Sequence, residues 1–134
     1  MRIGIMDMTV NSGGIADVGE RLRHAASTGA ESFWAPNYLQ HSAHVPPGRD
    51  GLIGLIKSVP DNFHYENGLT VANGDYVLLH GRFTGLGLPA NWIVVDIVRL
   101  ENGLLAEHWD VIEDEATREK SASGLPMFGN SFPA

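Results

Sequence analysis

The chain has 134 residues, of which 43% are hydrophobic, enough for one compact core but not for a second. Its formal charge of −7 and scattered basic residues exclude nucleic acid and anionic membranes as expected partners. The lack of cysteine excludes disulfides, a thiolate nucleophile and cysteine-based metal sites. We therefore expect a single domain over residues 1–134. We also expect a cytoplasmic location, because neither a signal-peptide pattern nor a long apolar run is present.

The first half of the chain predicts one extended segment and two helices. Residues 2–10 form a short apolar run that is typical of a strand or an extended arm. Apolar residues then recur at helical spacing over residues 15–28, and Gly29 follows where a C-cap glycine is expected. A second helix is indicated by an apolar stripe that lies between a Pro-Pro-Gly turn and Pro60. This stripe consists of Leu52, Leu55, Ile56 and Val59.

The second half of the chain predicts an antiparallel sheet. Two Asn-Gly pairs, at Asn73-Gly74 and Asn102-Gly103, favour tight turns between short runs of β-forming residues. The predicted strands span residues 62–71, 75–84, 91–100 and 104–112. Residues 113–134 are expected to form an irregular tail over an apolar surface. Helices followed by a curved antiparallel sheet give an α+β fold.

The last predicted hairpin carries a carboxylate that is out of place in an apolar strand. Asp96 lies among Val and Ile residues, and strand alternation puts it on the face of Trp92. A two-residue loop would place Asp96 beside Trp109, whereas a three-residue loop ending in a bulge at Gly103 would place it opposite His108. We favour the bulged form, because it gathers ionisable groups on one face.

In that register Asp96, His108 and Asp110 converge among apolar side chains, the usual composition of a small-molecule site. A carboxylate with a neighbouring imidazole can transfer a proton near neutral pH, so Asp96 and His108 are the catalytic candidates. The alternative is a cross-strand pair with a purely structural role. Arg99 and Glu107 fall on the opposite face and are expected to form a surface or interface pair.

Two further histidines could reach a cleft. His41 precedes a Pro-Pro turn, and His80 lies in a predicted strand with Leu78 and Arg82. No metal site is expected, because no HxH or HExxH spacing occurs. No phosphate-binding glycine loop and no serine-hydrolase elbow occur either, so no nucleotide cofactor is indicated.

Five ordered motifs give the chain a family resemblance over about residues 34–128. They are Tyr38-Leu-Gln-His41, His44-Val-Pro-Pro-Gly-Arg-Asp-Gly51, Asn73-Gly-Asp-Tyr-Val77 with His80, Asp96-Ile-Val-Arg-Leu-Glu-Asn-Gly103 and Glu107-His-Trp-Asp-Val111. Together they resemble the SnoaL-like polyketide cyclases of the nuclear transport factor 2-like superfamily. The resemblance implies a cone-shaped α+β fold, with a curved sheet around helices, an internal pocket and a homodimer.

The resemblance also implies an activity, that of a cofactor-independent aldol cyclase or isomerase acting on a small hydrophobic molecule. Asp96 resembles the family's acid/base carboxylate, with His108 as its partner. Substrate contacts are expected from His41, Asp110, His80, Trp92, Trp34 and Tyr38. The alternatives are a binding domain without catalysis and an epoxide hydrolase-like enzyme, for which Asp110 matches one position but the full Arg/Asp/Asp arrangement is not reproduced.

Residues 1–33 depart from this family pattern. Arg2-Ile-Gly-Ile5 and the segment from Ala25 to Trp34 look more like the opening strand and helix of a luciferase-like flavin-dependent barrel enzyme. Such a barrel needs about 250 residues, so this chain is too short to form one. No flavin is therefore expected.

Overall fold

The structure is a computed structural model that describes residues 33–134. The predicted strand at residues 2–10 and the predicted helix at residues 15–28 lie outside this range. Within it, five strands and one helix confirm the α+β class. The elements are β1 (Trp34–Gln40), α1 (Gly48–Ser58), β2 (His64–Asn73), β3 (Tyr76–Thr84), β4 (Trp92–Glu101) and β5 (Leu104–Asp114).

The strands form one mixed sheet in the order β1-β5-β4-β3-β2. Strands β2 to β5 are antiparallel neighbours, as the two Asn-Gly turns and the short connection between β3 and β4 predicted. Strand β1 was not predicted as part of the sheet, and it pairs in parallel with β5 at the edge. This pairing sets Gln40 opposite His108, and it continues in a bond of 2.9 Å from the His41 backbone N–H to the His108 carbonyl.

The hairpin between β4 and β5 corrects the predicted register. Asn102 and Gly103 both have positive φ angles, 51° and 78°, and form the two-residue turn that places Glu101 opposite Leu104. The bulge lies at Ala106 rather than at Gly103, because Arg99 pairs with Glu107 and Leu100 with Leu105.

The bulge has a direct consequence for the face that carries Asp96. Because the extra residue shifts every later pair by one position, Asp96 lies opposite Asp110, and His108 lies opposite Val98. The prediction that Asp96 lies directly opposite His108 across the hairpin was therefore wrong. The prediction that both residues share one face is confirmed.

Helix α1 packs beside β1 and closes one side of the sheet's inner face. The predicted stripe faces inward, with Ile56 buried in a cluster with aromatic and aliphatic residues of the sheet. The other buried members of this cluster are Trp34, Tyr38, Val77, Leu100 and Leu105. Gly51 lets the helix approach the chain before it, because a Cβ there would collide with Pro46. None of the helical segments in residues 33–134 has the length and apolarity needed to cross a bilayer.

The tail after β5 lies on the outer face of β2 and β3. Its anchor Phe128 is buried and packs near His80, with ring centroids 5.6 Å apart. At the start of the tail, the buried carboxylate of Glu115 forms an ion pair with Arg82 and accepts a bond of 2.8 Å from Asn91. The tail thus covers the outer face at one end of the sheet.

Candidate active site

A cavity of about 520 Å³ lies between α1 and the inner face of the sheet. Its volume is within the usual range for small-molecule sites. Its wall is mostly apolar and includes side chains from α1, from all five strands and from the loop after β3. Leu52, Ile56, Phe63, Phe83, Leu86, Val98 and Ile112 are representative. The few polar groups on this wall therefore stand out.

The principal polar group on the wall is a chain of three side chains across β1, β5 and β4. His108 Nε2 lies 2.7 Å from Asp96 Oδ1, and His108 Nδ1 lies 2.7 Å from Gln40 Oε1. Only 14% of the His108 side chain and 16% of the Asp96 side chain are exposed. We call Gln40, His108 and Asp96 the inner chain. Asp110 lies beside it on the same cavity wall.

Two phenols are buried near the inner chain. The hydroxyl of Tyr38 accepts a bond of 2.9 Å from Gln40 Nε2. Burial raises the pKa of Tyr38 well above its ordinary value, and the nearby negative charges of Asp96 and Asp110 raise it further. Burial and Asp96 raise the pKa of Tyr65 in the same way. Both phenols therefore stay protonated at neutral pH and can donate hydrogen bonds.

The hydroxyl of Tyr65 has no hydrogen-bond partner within residues 33–134, although it is fully buried. Its ring lies directly over Gly81 of β3, where a Cβ would collide with the ring. An unpartnered buried hydroxyl is unfavourable in the free protein.

A second hydrogen-bonded chain joins β4 and β5 to the residue that follows β1, on the opposite face of the sheet. Glu107 accepts a bond of 2.9 Å from Arg99 Nε, and its other oxygen lies 2.8 Å from His41 Nε2. The ring of His41 stacks on Trp109 with centroids 4.9 Å apart. The bond to His41 and the bond to Arg99 lower the pKa of Glu107. We call His41, Glu107 and Arg99 the outer chain.

The structure brings together most of the predicted site residues. Asp96, His108, Asp110, Trp34, Tyr38 and Trp92 all line the cavity. His41 and His80 do not, contrary to expectation. Strand alternation sends His41 to the outer chain, one residue after the inward-facing Gln40, and His80 lies against Phe128 under the tail.

The sequence that forms this site matches a known protein family. A family model for a SnoaL-like domain matches residues 20–108. The chain belongs to the SnoaL-like family. The match includes residues 20–33, which we had expected to depart from the family pattern. A comparison with curated proteins gave no significant match.

Several solved structures share the fold of this SnoaL-like chain. TsrD from Streptomyces laurentii is 23% identical with a TM-score of 0.58, over 81% of this chain and 85% of that one. A candidate ketosteroid isomerase from Kribbella flavida is 16% identical with a TM-score of 0.63, over 85% and 88% of the two chains. An NTF2-like protein from Cytophaga hutchinsonii is 14% identical with a TM-score of 0.59, over 84% and 93%. At these identities the similarity establishes the fold.

Sequence reasoning missed three polar or aromatic groups of this SnoaL-like site. Gln40 and Tyr38 share a face by strand alternation, so the β1 pattern contained the signal for Gln40. His44 lines the cavity and packs near Trp92, with centroids 5.0 Å apart. Tyr65 carried no local signal, because its burial depends on the absence of a side chain at Gly81 in the neighbouring strand.

Metal binding at this site would compete with its hydrogen bonds. Asp96, His108 and Asp110 each place a ligand-type atom within 4.8 Å of the others. No other set of three His, Asp or Glu residues in residues 33–134 does so. Both ring nitrogens of His108 already lie within hydrogen-bond distance of an oxygen. A metal ion at Nε2 would therefore have to displace Asp96 from the imidazole.

Proposed function

We propose that this chain is a small cofactor-independent enzyme that moves a proton on an apolar carbonyl substrate, as aldol cyclases and isomerases do. The observation that carries the proposal is the Asp96–His108 pair on the wall of an apolar cavity of about 520 Å³. A base held against a carbonyl compound in such a cavity can remove the weakly acidic proton next to the carbonyl carbon. The family membership supports the same reaction class.

The proposed reaction begins when an Asp96 carboxylate oxygen takes a proton from the carbon next to the carbonyl. The electrons of the broken C–H bond form a carbon–carbon double bond, and the carbonyl oxygen becomes an enolate oxygen. The hydroxyl of Tyr38 is a suitable donor to this oxygen, because its own hydrogen has no acceptor within residues 33–134. Asp110 can accept a bond from a substrate hydroxyl group.

The enolate has two outcomes. Asp96 can return the proton to a different carbon, which isomerises the substrate. Alternatively, the enolate carbon attacks a second carbonyl carbon of the same molecule, and the resulting alkoxide takes the proton from Asp96, which closes a ring. Both outcomes restore the Asp96 carboxylate, so neither needs a cofactor or a redox partner.

The proposal can be tested without knowing the natural substrate. In D₂O, 2-tetralone exchanges the hydrogens next to its carbonyl group, and NMR follows that exchange. We expect the protein to accelerate it and Asp96→Asn to remove the acceleration. The matched control Asp61→Asn changes an exposed aspartate in the turn before β2 and should retain the full rate. Acceleration that survives in Asp96→Asn would contradict the assignment.

The apolar wall of the cavity also supports a second function, binding of a small hydrophobic molecule without catalysis. This function predicts that 2-tetralone perturbs the fluorescence of Trp34 and Trp92 but exchanges no faster than in buffer. Binding and exchange measured on the same sample thus separate the two functions.

We further propose that a second copy of the chain covers the outer face of β4 and β5. This face carries Val95, Ile97, Trp109 and Val111, and Val111 is 71% exposed. An isologous dimer would bury these apolar residues together with the outer chain. Sedimentation should give twice the mass of 14.5 kDa for the native chain and a monomer for Val111→Glu. A native monomer at micromolar concentration would contradict the dimer.

A further inference from the structure

We propose that Gln40 is a positioning residue that holds His108 in the tautomer with hydrogen on Nδ1. As a result, the bond between His108 and Asp96 carries one shared proton. The tautomer follows from hydrogen-bond geometry alone, whereas its effect on catalysis rests on the proposed function.

The two ends of the Gln40 amide have different partners. Its Oε1 lies 3.0 Å from the backbone N–H of Ser42, which can only donate. Its Nε2 lies 2.9 Å from the hydroxyl oxygen of Tyr38, which accepts. A rotated amide would bring its own N–H groups against the Ser42 N–H. The oxygen end of Gln40 therefore faces Ser42 and His108.

The orientation of Gln40 determines the state of the nearest ring nitrogen. An amide oxygen has no hydrogen to donate, so the distance of 2.7 Å to His108 Nδ1 requires a hydrogen on that nitrogen. In a neutral imidazole the other nitrogen, Nε2, then has a lone pair and no hydrogen. This is the nitrogen that lies 2.7 Å from Asp96 Oδ1.

Two lone pairs at 2.7 Å would repel each other, so one proton must lie between Nε2 and Oδ1. The pair is either a neutral imidazole with a carboxylic acid or an imidazolium with a carboxylate. Both forms have a net charge of zero. The proton can thus move along the bond without creating an unpaired charge on an apolar cavity wall.

This arrangement explains why a neutral amide suits position 40. A carboxylate there would hold His108 as an imidazolium by direct attraction and would add a negative charge beside the cavity. An apolar side chain would release Nδ1 and allow the other neutral tautomer, in which Nε2–H donates to an Asp96 carboxylate. The amide fixes the ring and adds no charge to a wall that already carries Asp110 beside the pair.

The tautomer can be measured by ¹⁵N NMR on the full chain, with the His108 signals assigned by their loss in His108→Gln. We expect the native spectrum near neutral pH to show a protonated Nδ1. In Gln40→Leu the neutral ring should change to the Nε2–H tautomer. In Gln40→Glu the imidazolium should persist to higher pH than in the native protein. His41→Gln, one residue along on the opposite face, is the matched control and should leave the His108 spectrum unchanged.

The same variants have an expected kinetic effect. Gln40→Leu should lower kcat for 2-tetralone exchange by roughly tenfold or more with little change in KM, because a wrong tautomer impairs the proton transfer. Gln40→Glu should shift the pH–rate profile along with the spectrum. A purely structural role would lower stability without moving the tautomer or the profile.

The outcomes distinguish this inference from the proposed function. A native His108 with an unprotonated Nδ1 would overturn the role of Gln40 whatever the activity. A Gln40→Leu variant that folds and keeps the Nδ1–H tautomer would overturn it as well. If the tautomer behaves as expected and no exchange is accelerated, the proposed reaction fails and the positioning role stands.

Discussion

The inner chain and the outer chain lie on opposite faces of the sheet. The inner chain starts at the last residue of β1 and the outer chain at the residue after it. Each continues through a residue of β5 to one of β4, and each contains a histidine and a carboxylate. The inner His108 is 14% exposed and faces the cavity, whereas the outer His41 is 45% exposed. The two histidines thus differ in exposure, whereas the carboxylates of Asp96 and Glu107 are each 16% exposed.

The inner chain and the outer chain differ in how their charges are balanced and in how exposed their histidines are. In the outer chain, Arg99 supplies a permanent positive charge to Glu107 through a bond of 2.9 Å. In the inner chain Gln40 is neutral, and we propose that the proton shared with His108 balances the charge of Asp96. The inner chain is therefore the proposed site of proton transfer, whereas the outer chain is an ion-pair network with a permanent cation.

The largest expected difference is in activity. Asp96→Asn should lower the exchange rate of 2-tetralone by about 10²- to 10⁴-fold, the usual contribution of a general acid/base. Its amide can still donate to Nε2 of the neutral ring, so the melting temperature should change little. The outer-chain counterpart, Glu107→Gln, should retain the rate. Equal loss in both variants would show that the two faces do not differ in function.

The next largest expected effect is a loss of stability when the packing of the inner face is disturbed. Gly81→Ala should lower the free energy of unfolding by about 1–3 kcal/mol, because its Cβ would collide with the buried Tyr65 ring. Gly54→Ala on α1 is the control, because beyond the helix's own backbone no atom of residues 33–134 lies within 4 Å of a Cβ there. Since alanine favours a helix, this control should leave stability unchanged or raise it. Urea unfolding of both variants checks the prediction, and equal stabilities would contradict it.

The two buried phenols predict alkaline sensitivity of the inner face. Their pKa values are raised above the ordinary 10.0, so the unfolded chain loses these protons first as pH rises. Stability is then fully present below pH 10 and falls above it, by up to about 1.4 kcal/mol per pH unit for each phenol. Urea unfolding between pH 9 and 11 measures this slope. Tyr65→Phe should reduce the slope, and an unchanged slope would exclude Tyr65 as its source.

The outer chain predicts a smaller effect at acid pH. Since the pKa of Glu107 is lowered in the folded protein, its contribution to stability is present above the ordinary value of 4.5 and is lost as pH falls through the folded value. Thermal melts between pH 6 and 3 should show a smaller acid loss in Glu107→Gln than in the native chain. Identical acid profiles would mean that the bonds to His41 and Arg99 contribute nothing measurable.

Local sequence patterns predicted much of the fold and part of the site. Asn102 and Gly103 accept positive φ angles, so their position identified the hairpin that carries Asp96 and His108. The apolar surroundings of Asp96 identified it as a buried carboxylate. The edge strand β1 was missed as a member of the sheet, because parallel pairing with β5 leaves no turn signal between distant segments. The choice of His41 over Gln40 followed from that omission.

The sequence by itself determined the α+β class, the antiparallel order of β2 to β5 and the family, because turn residues, strand alternation and ordered motifs are local properties. Only the tertiary structure decided the register at Ala106, the pairing of Gln40 with His108 and the burial of Tyr65 over Gly81. Each of these depends on contact between strands, and a shift of one residue reverses the face on which a side chain lies. That one-residue choice separates the inner Gln40 from the outer His41.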